Sequence, residues 1–182
     1  MVSRILIKKI YFRRVLLSTI LNLILCSVIA QTNERASIQA KEMLQKLTIE
    51  DCIHLISGSD DMNAPGIPRL GIPDLKMTDG PFGPHTGKAP GFPVGICLAA
   101  TWDTILINQA ASLMGKCTHA QGKNTLLGPC INIHRVPNGG RNFESYGEDP
   151  WLTSRMAVAF IKGLRKENVL PMVKHFACNN ND

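Results

Sequence analysis

The stretch Val169–His175, which reads VLPMVKH, is the part of the chain from which the fold is best inferred. Its first five residues form an apolar run that is typical of a buried strand. The run stops at Lys174 and His175, which places a cation and an imidazole at the carboxyl end of that strand. In α/β barrels the functional side chains lie at this end of the strands, so we expect the pair to belong to a site.

Two earlier segments repeat this arrangement of a short strand followed by a polar loop. Asp74–Thr78 predicts a strand that runs into the turn Asp79–Pro81, and Thr125–Gly128 predicts a strand upstream of the polar loop His134–Asp149. Apolar residues at helical spacing lie between successive strands. The order of strand, loop, helix, strand, loop, helix and strand predicts an α/β fold with a parallel sheet and crossover helices.

Capping residues mark where the helices begin. Helices are predicted over residues 34–46, after the capping box Thr48–Asp51, from a cap at Thr101 or Asp103 to about His119, and from Asp149 to about Lys166. In the helix that ends near His119, the spacing predicts a buried face, which consists of Ile105, Leu106, Ala110, Leu113, Met114 and Cys117. In the helix that ends near Lys166, the predicted buried residues are Leu152, Met156, Ala159, Phe160 and Leu164.

The first 30 residues have the pattern of an export signal. Basic residues precede an apolar stretch, Val15–Ala30, whose small-residue ending predicts cleavage before Gln31. A membrane anchor is the alternative, but a span needs about 20 apolar residues, so we expect no stable membrane span. The sequence therefore predicts a signal peptide over residues 1–30 and a secreted or periplasmic protein.

The positive charge of the chain is concentrated in that signal segment. The formal net charge is +6 at pH 7, from 20 basic and 14 acidic residues. Five of the basic residues and none of the acidic ones lie before residue 31, so the rest of the chain is close to neutral. The charge balance is therefore no footprint of nucleic-acid binding, and we expect no nucleic-acid partner.

The cysteines after the signal segment are odd in number and irregular in spacing: Cys52, Cys97, Cys117, Cys130 and Cys178. This pattern favours buried free thiols, with at most one or two bridges, over a disulfide framework. A metal site formed by Cys117, His119, Cys130 and His134 would match no compact zinc pattern. We therefore expect neither a metal nor a cofactor.

Three segments that follow predicted strands carry a resemblance to a known family. They are Thr78–Pro81 (TDGP), Gly139–Pro150 (GGRNFESYGEDP) and Lys174–Asn180 (KHFACNN). Together they strongly resemble glycoside hydrolase family 3, in the branch that holds β-glucosidases and β-xylosidases. The resemblance extends from about Leu44 to the end of the chain.

This resemblance implies a (β/α)8 TIM-barrel-like first domain, of which residues 31–182 cover only the N-terminal part. It implies retaining hydrolysis of a β-glycosidic bond in carbohydrate metabolism, with release of a sugar from a non-reducing end. Such chemistry needs two carboxylates about 5 Å apart, a nucleophile and an acid/base. The resemblance places both groups downstream of residue 182, so we expect no catalytic residue within the chain.

The resemblance assigns contacts with the sugar to Asp79, Arg141, Lys174 and His175, so the implied partner is an oligosaccharide or β-glycoside. These residue types suit a ring of hydroxyl groups: a carboxylate accepts, the two cations donate, and an imidazole does either. Hydrogen bonds that strengthen as the ring flattens would lower the barrier to hydrolysis.

Each of these residues has a structural alternative. Asp79 would also suit a turn, and Arg141 could pair with Glu144, Glu148 or Asp149. Lys174 could extend its amine from a strand end to solvent, and His175 could be a core histidine. For the chain as a whole, the alternative is a catalytically inactive fragment with at most weak carbohydrate binding.

Overall fold

A computed structural model describes residues 34–60 and 62–180. The chain divides into two compact units, Met1–Cys52 and Ile53–Asp182. In the first unit, residues 34–44 form helix α1. The predicted signal peptide lies outside the described residues, so the boundary after residue 30 stays a prediction.

The predicted capping box is present at the start of the second helix, α2 (Ile49–Ile56). The backbone N–H of Thr48 donates to Oδ2 of Asp51 at 2.7 Å, and the backbone N–H of Asp51 donates to Oγ1 of Thr48 at 3.1 Å. Each side chain thereby satisfies an N–H that the first helical turn leaves unpaired.

Within residues 34–60 and 62–180, four strands form one sheet in the order β1-β2-β3-β4. They are β1 (Asn63–Ala64), β2 (Leu75–Asp79), β3 (Thr125–Cys130) and β4 (Leu170–Lys174). Strand β1 pairs antiparallel with β2, whereas β2, β3 and β4 are parallel neighbours. The predicted parallel sheet is confirmed, and its strand–helix repeats make the described residues part of a TIM-barrel-like α/β domain.

The helices between the parallel strands begin at the predicted acidic caps. Helix α4 (Thr104–Ala120) starts after Asp103, which accepts from the backbone N–H groups of Ile105 and Leu106 at 2.8 and 3.1 Å. Helix α5 (Pro150–Lys166) starts after Asp149, which accepts from the N–H of Leu152 at 2.9 Å. A short helix, α3 (Gly95–Ala99), was not predicted, because it begins in a segment rich in Gly and Pro. In the described part of the chain, no helix is both long and apolar enough to cross a bilayer.

The predicted buried face of α4 is confirmed for Met114, whereas Ala110 and Cys117 are partly buried and the other three predictions are wrong. Its fully buried residues are Ile107, Ala111, Met114, Gly115 and Thr118. Ile105 is 70% exposed, and Leu106 and Leu113 are also exposed, so only Met114 was placed correctly among the fully buried set. Helix α5 packs closely against α4, since a Cβ on Gly163 would lie 2.4 Å from the carbonyl oxygen of Asn108. A contact this close brings the two helices together on the side of α4 that carries Ala111, and the buried residues of α4 follow helical spacing along that side.

The other packing predictions had mixed outcomes. Four of the five residues predicted to be buried in α5 are buried, and Leu152 is partly buried. The predicted burial of β4 is wrong, because Leu170 and Val173 are 48% and 44% exposed. Strand β4 is the outermost strand of the described sheet, so one of its sides has no neighbouring strand there.

Candidate functional site

Polar side chains meet where the three parallel strands end. Asp79 is the last residue of β2, Cys130 of β3 and Lys174 of β4. The strand register places Cys130 opposite Lys174. Because parallel neighbours end at the same edge of a sheet, the predicted residues Asp79 and Lys174 are brought to one edge, as expected.

Asp79 and Lys174 form an ion pair across the end of β3. The Nζ atom of Lys174 lies 2.5 Å from Oδ1 of Asp79, and the lysine side chain is 13% exposed against 43% for the aspartate. Burial raises the pKa of Asp79, but the hydrogen bond and charge of Lys174 outweigh it and lower that pKa overall. The carboxylate is therefore ionised at neutral pH and acts as an acceptor only.

A tight turn follows Asp79 directly, in which the backbone N–H of Gly83 donates to the carbonyl oxygen of Gly80 at 3.2 Å. The carbonyl oxygen of Asp79 accepts from the backbone N–H of His85 at 2.9 Å and closes the longer loop. The next residue, Gly80, has φ 151°, and a Cβ there would lie 1.7 Å from the carbonyl oxygen of Gly83. Only glycine fits this conformation and contact, so Gly80 is required for the turn that follows Asp79.

Arg141 is held by Glu144, one of the three partners considered for it. Its Nε donates to Oε1 of Glu144 at 2.8 Å, and its Nη2 donates to Oε2 at 2.7 Å. Oε2 also accepts from Sγ of Cys130 at 3.2 Å. Burial raises the pKa of Glu144, but the hydrogen bonds from Arg141 and Cys130 lower it overall. Glu144 is thus an ionised, buried anchor for the guanidinium.

His175 is positioned by Asn132, a residue that the sequence reasoning missed. The backbone N–H of His175 donates to Oδ1 of Asn132 at 2.8 Å, and Nδ1 of its ring lies 3.2 Å from the same oxygen. Nδ2 of Asn132 donates to the carbonyl oxygen of His175 at 3.1 Å. A polar residue between Ile131 and Ile133, just after β3, was the available signal.

The four predicted residues form two neighbouring groups, the Asp79–Lys174 ion pair and the cleft that contains Arg141 and His175. Arg141 and His175 line the same cleft, together with Asn132 and Ser145. The ligand atoms of Cys130, Glu144 and His175 lie within 4.8 Å of one another. The charge of Lys174 contributes to the lowered pKa of Glu144, so the Asp79–Lys174 pair is electrostatically coupled to this cleft. The geometry is that of a polar cleft with donors and acceptors on several sides; contact with a sugar stays a prediction.

Cys130, Glu144 and His175 are also the only group of three or more possible metal ligands that converge among the described residues. The group considered from the sequence, which included Cys117, His119 and His134, does not converge there. Burial and the hydrogen bond to Glu144 raise the pKa of Cys130 to about 12, so the thiol is protonated at neutral pH. Arg141 binds both oxygens of Glu144, and Cys130 donates to one of them. His175, by contrast, is hydrogen-bonded to Asn132.

All five cysteines of the described residues are free. The expectation that they would be buried is wrong for Cys52, Cys97 and Cys178, which are exposed, and holds for Cys130. The exposed thiols lie on α2, on α3 and after β4, at positions where the structure provides no covering side chains.

Comparisons with curated proteins identify β-glucosidases as relatives of the chain. The chain is 43% identical over 148 residues to a β-glucosidase of Rhizobium radiobacter, covering 78% of this chain and 18% of that protein. It is 36% identical over 159 residues to a β-glucosidase of Bacteroides ovatus, covering 80% of this chain and 21% of that protein. The chain thus spans about a fifth of the length of these relatives.

Solved structures give the same result. The β-glucosidase DesR of Streptomyces venezuelae, in complex with D-glucose, matches with a TM-score of 0.74 and 37% identity over 79% of this chain and 19% of that one. β-Glucosidase 3B of Thermotoga neapolitana, in complex with glucose, matches with a TM-score of 0.70 and 33% identity over 79% of this chain and 24% of that one.

The sequence model described as the glycosyl hydrolase family 3 N-terminal domain matches residues 18–181. The match begins inside the segment predicted to be the signal peptide and includes all four predicted site residues. The chain belongs to glycosyl hydrolase family 3, and its residues 18–181 match the N-terminal domain of that family.

Proposed function

We propose that the polar cleft at the ends of β2, β3 and β4 binds the terminal sugar of a β-glycoside, in a retaining exo-β-glycosidase of the β-glucosidase or β-xylosidase type. The observation that carries the proposal is the Asp79–Lys174 ion pair, which stands at the strand ends close to the cleft containing Arg141 and His175. The family and the glucose complexes of the similar structures support a sugar as the ligand.

Each side chain has a defined task in this proposal. Asp79, ionised by its pairing with Lys174, accepts hydrogen bonds from sugar hydroxyls. Lys174 and Arg141 donate, and their charges stabilise nearby anionic groups during the reaction. His175, fixed through Asn132, presents its imidazole to the same ring. The set orients the sugar and strengthens its contacts as the ring approaches the oxocarbenium ion.

We propose further that the nucleophile and the acid/base are supplied from outside these 182 residues. A general acid needs a raised pKa, whereas the pKa values of both carboxylates in this region, Asp79 and Glu144, are lowered. Each is also held by a cation, Asp79 by Lys174 and Glu144 by Arg141. Their chemistry suits binding and orientation better than proton transfer.

The lowered pKa values of Asp79 and Glu144 also favour a second candidate function, carbohydrate binding without hydrolysis. The reading frame of the native gene beyond codon 182 separates the two candidates. A frame that continues through an Asp-bearing strand supports the glycosidase, and a stop codon leaves a weak sugar-binding chain.

The experimental test uses the native gene product and aryl β-D-glucoside and β-D-xyloside substrates. We expect hydrolysis of at least one, and an Asp79→Ala variant that is about 10²–10³-fold lower in kcat/KM, the typical cost of removing one group that stabilises a transition state. Asp60→Ala is the matched control, since Asp60 is an exposed carboxylate with partners in its own loop. Equal kcat/KM values for wild type and Asp79→Ala would refute the role of Asp79.

We also propose that the protein is exported, on the basis of the basic and apolar pattern of residues 1–30. Expression of the native gene in its own host, followed by amino-terminal sequencing, tests this proposal. A mature chain that starts at Gln31 outside the cytoplasm is the expected result. An intracellular chain that retains Met1 would contradict it.

A further inference from the structure

The guanidinium of Arg141 is fixed on one side by two parallel hydrogen bonds. Glu144 accepts from Nε at 2.8 Å and from Nη2 at 2.7 Å, so it takes two of the five N–H donors of the group. The arginine side chain is 36% exposed and that of Glu144 only 8%. The pair therefore has a buried anchor and a partly exposed cation, and the bidentate bond fixes the plane of the guanidinium.

The anchor is itself attached to the sheet. Cys130, which is 1% exposed at the end of β3, donates from Sγ to Oε2 of Glu144 at 3.2 Å. This thiol connects the loop that carries Arg141 to the central strand of the parallel sheet. Helix α3 lies against the loop on another side, since a Cβ on Gly95 would lie only 2.1 Å from the carbonyl oxygen of Glu144.

A purely structural ion pair would not need this arrangement. Glu144 lies in a short 3₁₀ turn, Asn142–Glu144, and could satisfy its carboxylate in water if the turn faced outward. Instead the carboxylate is buried between a cation that lines the cleft and a thiol from the strand end. Burying a charge in this way is costly unless it is fully paired, and the pairing here restrains one side chain of the cleft.

We propose that Glu144 is the positioning residue for Arg141, with the Cys130 thiol as its second anchor, so that the chain Cys130–Glu144–Arg141 orients the guanidinium toward the sugar. The inference rests on the proposed function, since it assumes that Arg141 is a sugar ligand. It adds two residues to the site that make no contact with the sugar and act through Arg141.

A double-mutant cycle on the native gene product tests the inference through the affinity for D-glucose, measured by calorimetry. We expect Glu144→Gln to weaken binding about tenfold to a hundredfold in the wild-type background, the range for a hydrogen bond to a charged group. In an Arg141→Ala background the same change should have no further effect, because Glu144 acts only through Arg141. Where Arg141→Ala itself weakens binding, equal losses from Glu144→Gln in both backgrounds, or no loss in wild type, would overturn the inference.

A second readout does not depend on sugar binding. The ¹⁵Nε–¹H signal of Arg141 reports how rigidly the guanidinium is held. Glu144→Gln and Cys130→Val should increase its motion, whereas Cys130→Ser, which keeps a donor, should retain the wild-type signal. An unchanged signal in Glu144→Gln overturns the inference. Absent glucose binding, or equal binding by wild type and Arg141→Ala, instead counts against the proposed function, while this signal still decides the positioning role.

Discussion

Nζ of Lys174 lies 2.5 Å from Oδ1 of Asp79, although 95 positions separate the two residues along the chain. The strands that carry them are not neighbours, because β3 lies between β2 and β4. Their contact therefore requires that all three parallel strands are assembled. It also makes the stability of the sheet depend on the ionisation of the Asp79 carboxylate.

The first prediction is that this ion pair makes stability depend on pH in the acid range. The pKa of Asp79 is lowered in the folded protein from its ordinary value of 3.8. Its contribution is therefore complete above that value and is lost as the pH falls through the lowered folded pKa. In denaturant unfolding at a series of pH values, the difference between wild type and Asp79→Asn should be constant near neutrality and shrink in acid. Lys174→Met should remove the same pH-dependent component; a difference that stays constant down to the most acidic folded condition would contradict the prediction.

The second prediction concerns the thiols. Burial and the hydrogen bond to Glu144 raise the pKa of Cys130 to about 12, and only a thiolate reacts rapidly with alkylating agents. Iodoacetamide at neutral pH should therefore label Cys52, Cys97 and Cys178 and leave Cys130 unmodified, as read by peptide mass spectrometry. Labelling in denaturant is the control and should include Cys130. Modification of Cys130 in the native protein as fast as in the unfolded one would show that the thiol is accessible.

The third prediction tests which face of α4 is buried, with two isoleucines of the same helix as a matched pair. Ile107 is fully buried and Ile105 is 70% exposed. Ile107→Ala should lower the free energy of unfolding by about 2–5 kcal/mol, the cost of a cavity in a packed core. Ile105→Ala should change it by less than about 0.5 kcal/mol. Thermal and denaturant unfolding measure both, and the reverse order of effects would mean that α4 is rotated.

The fourth prediction tests the close approach of α4 and α5. A Cβ on Gly163 would lie 2.4 Å from the carbonyl oxygen of Asn108 and 2.6 Å from Cβ of Ala111. Gly163→Ala should lower the melting temperature even though alanine favours a helix by about 1 kcal/mol over glycine. Gly91→Ala is the control, since a Cβ there would meet nothing within 4 Å. A higher melting temperature for Gly163→Ala would show that the helices are less closely packed.

Much of the fold could be predicted from the sequence because its signals are local. The caps Asp103 and Asp149 and the box at Thr48 begin helices through bonds within three residues, so they need no tertiary context. The short segment before Asp79 and the apolar run before Lys174 predicted strands, and their alternation with helices implied a parallel sheet. These local signals do not show which side of a helix or strand is buried, as the exposed Ile105 and Leu170 demonstrate.

The sequence by itself determined the family, the strand–helix order and the placement of Asp79 and Lys174 at strand ends. Only the tertiary structure decided which apolar face of α4 is buried, because α5 packs against the face that includes Ala111. It alone brought Asn132 to His175 and Cys130 to Glu144. These are pairings between residues distant in sequence, which strand register and helix packing create after the local elements have formed.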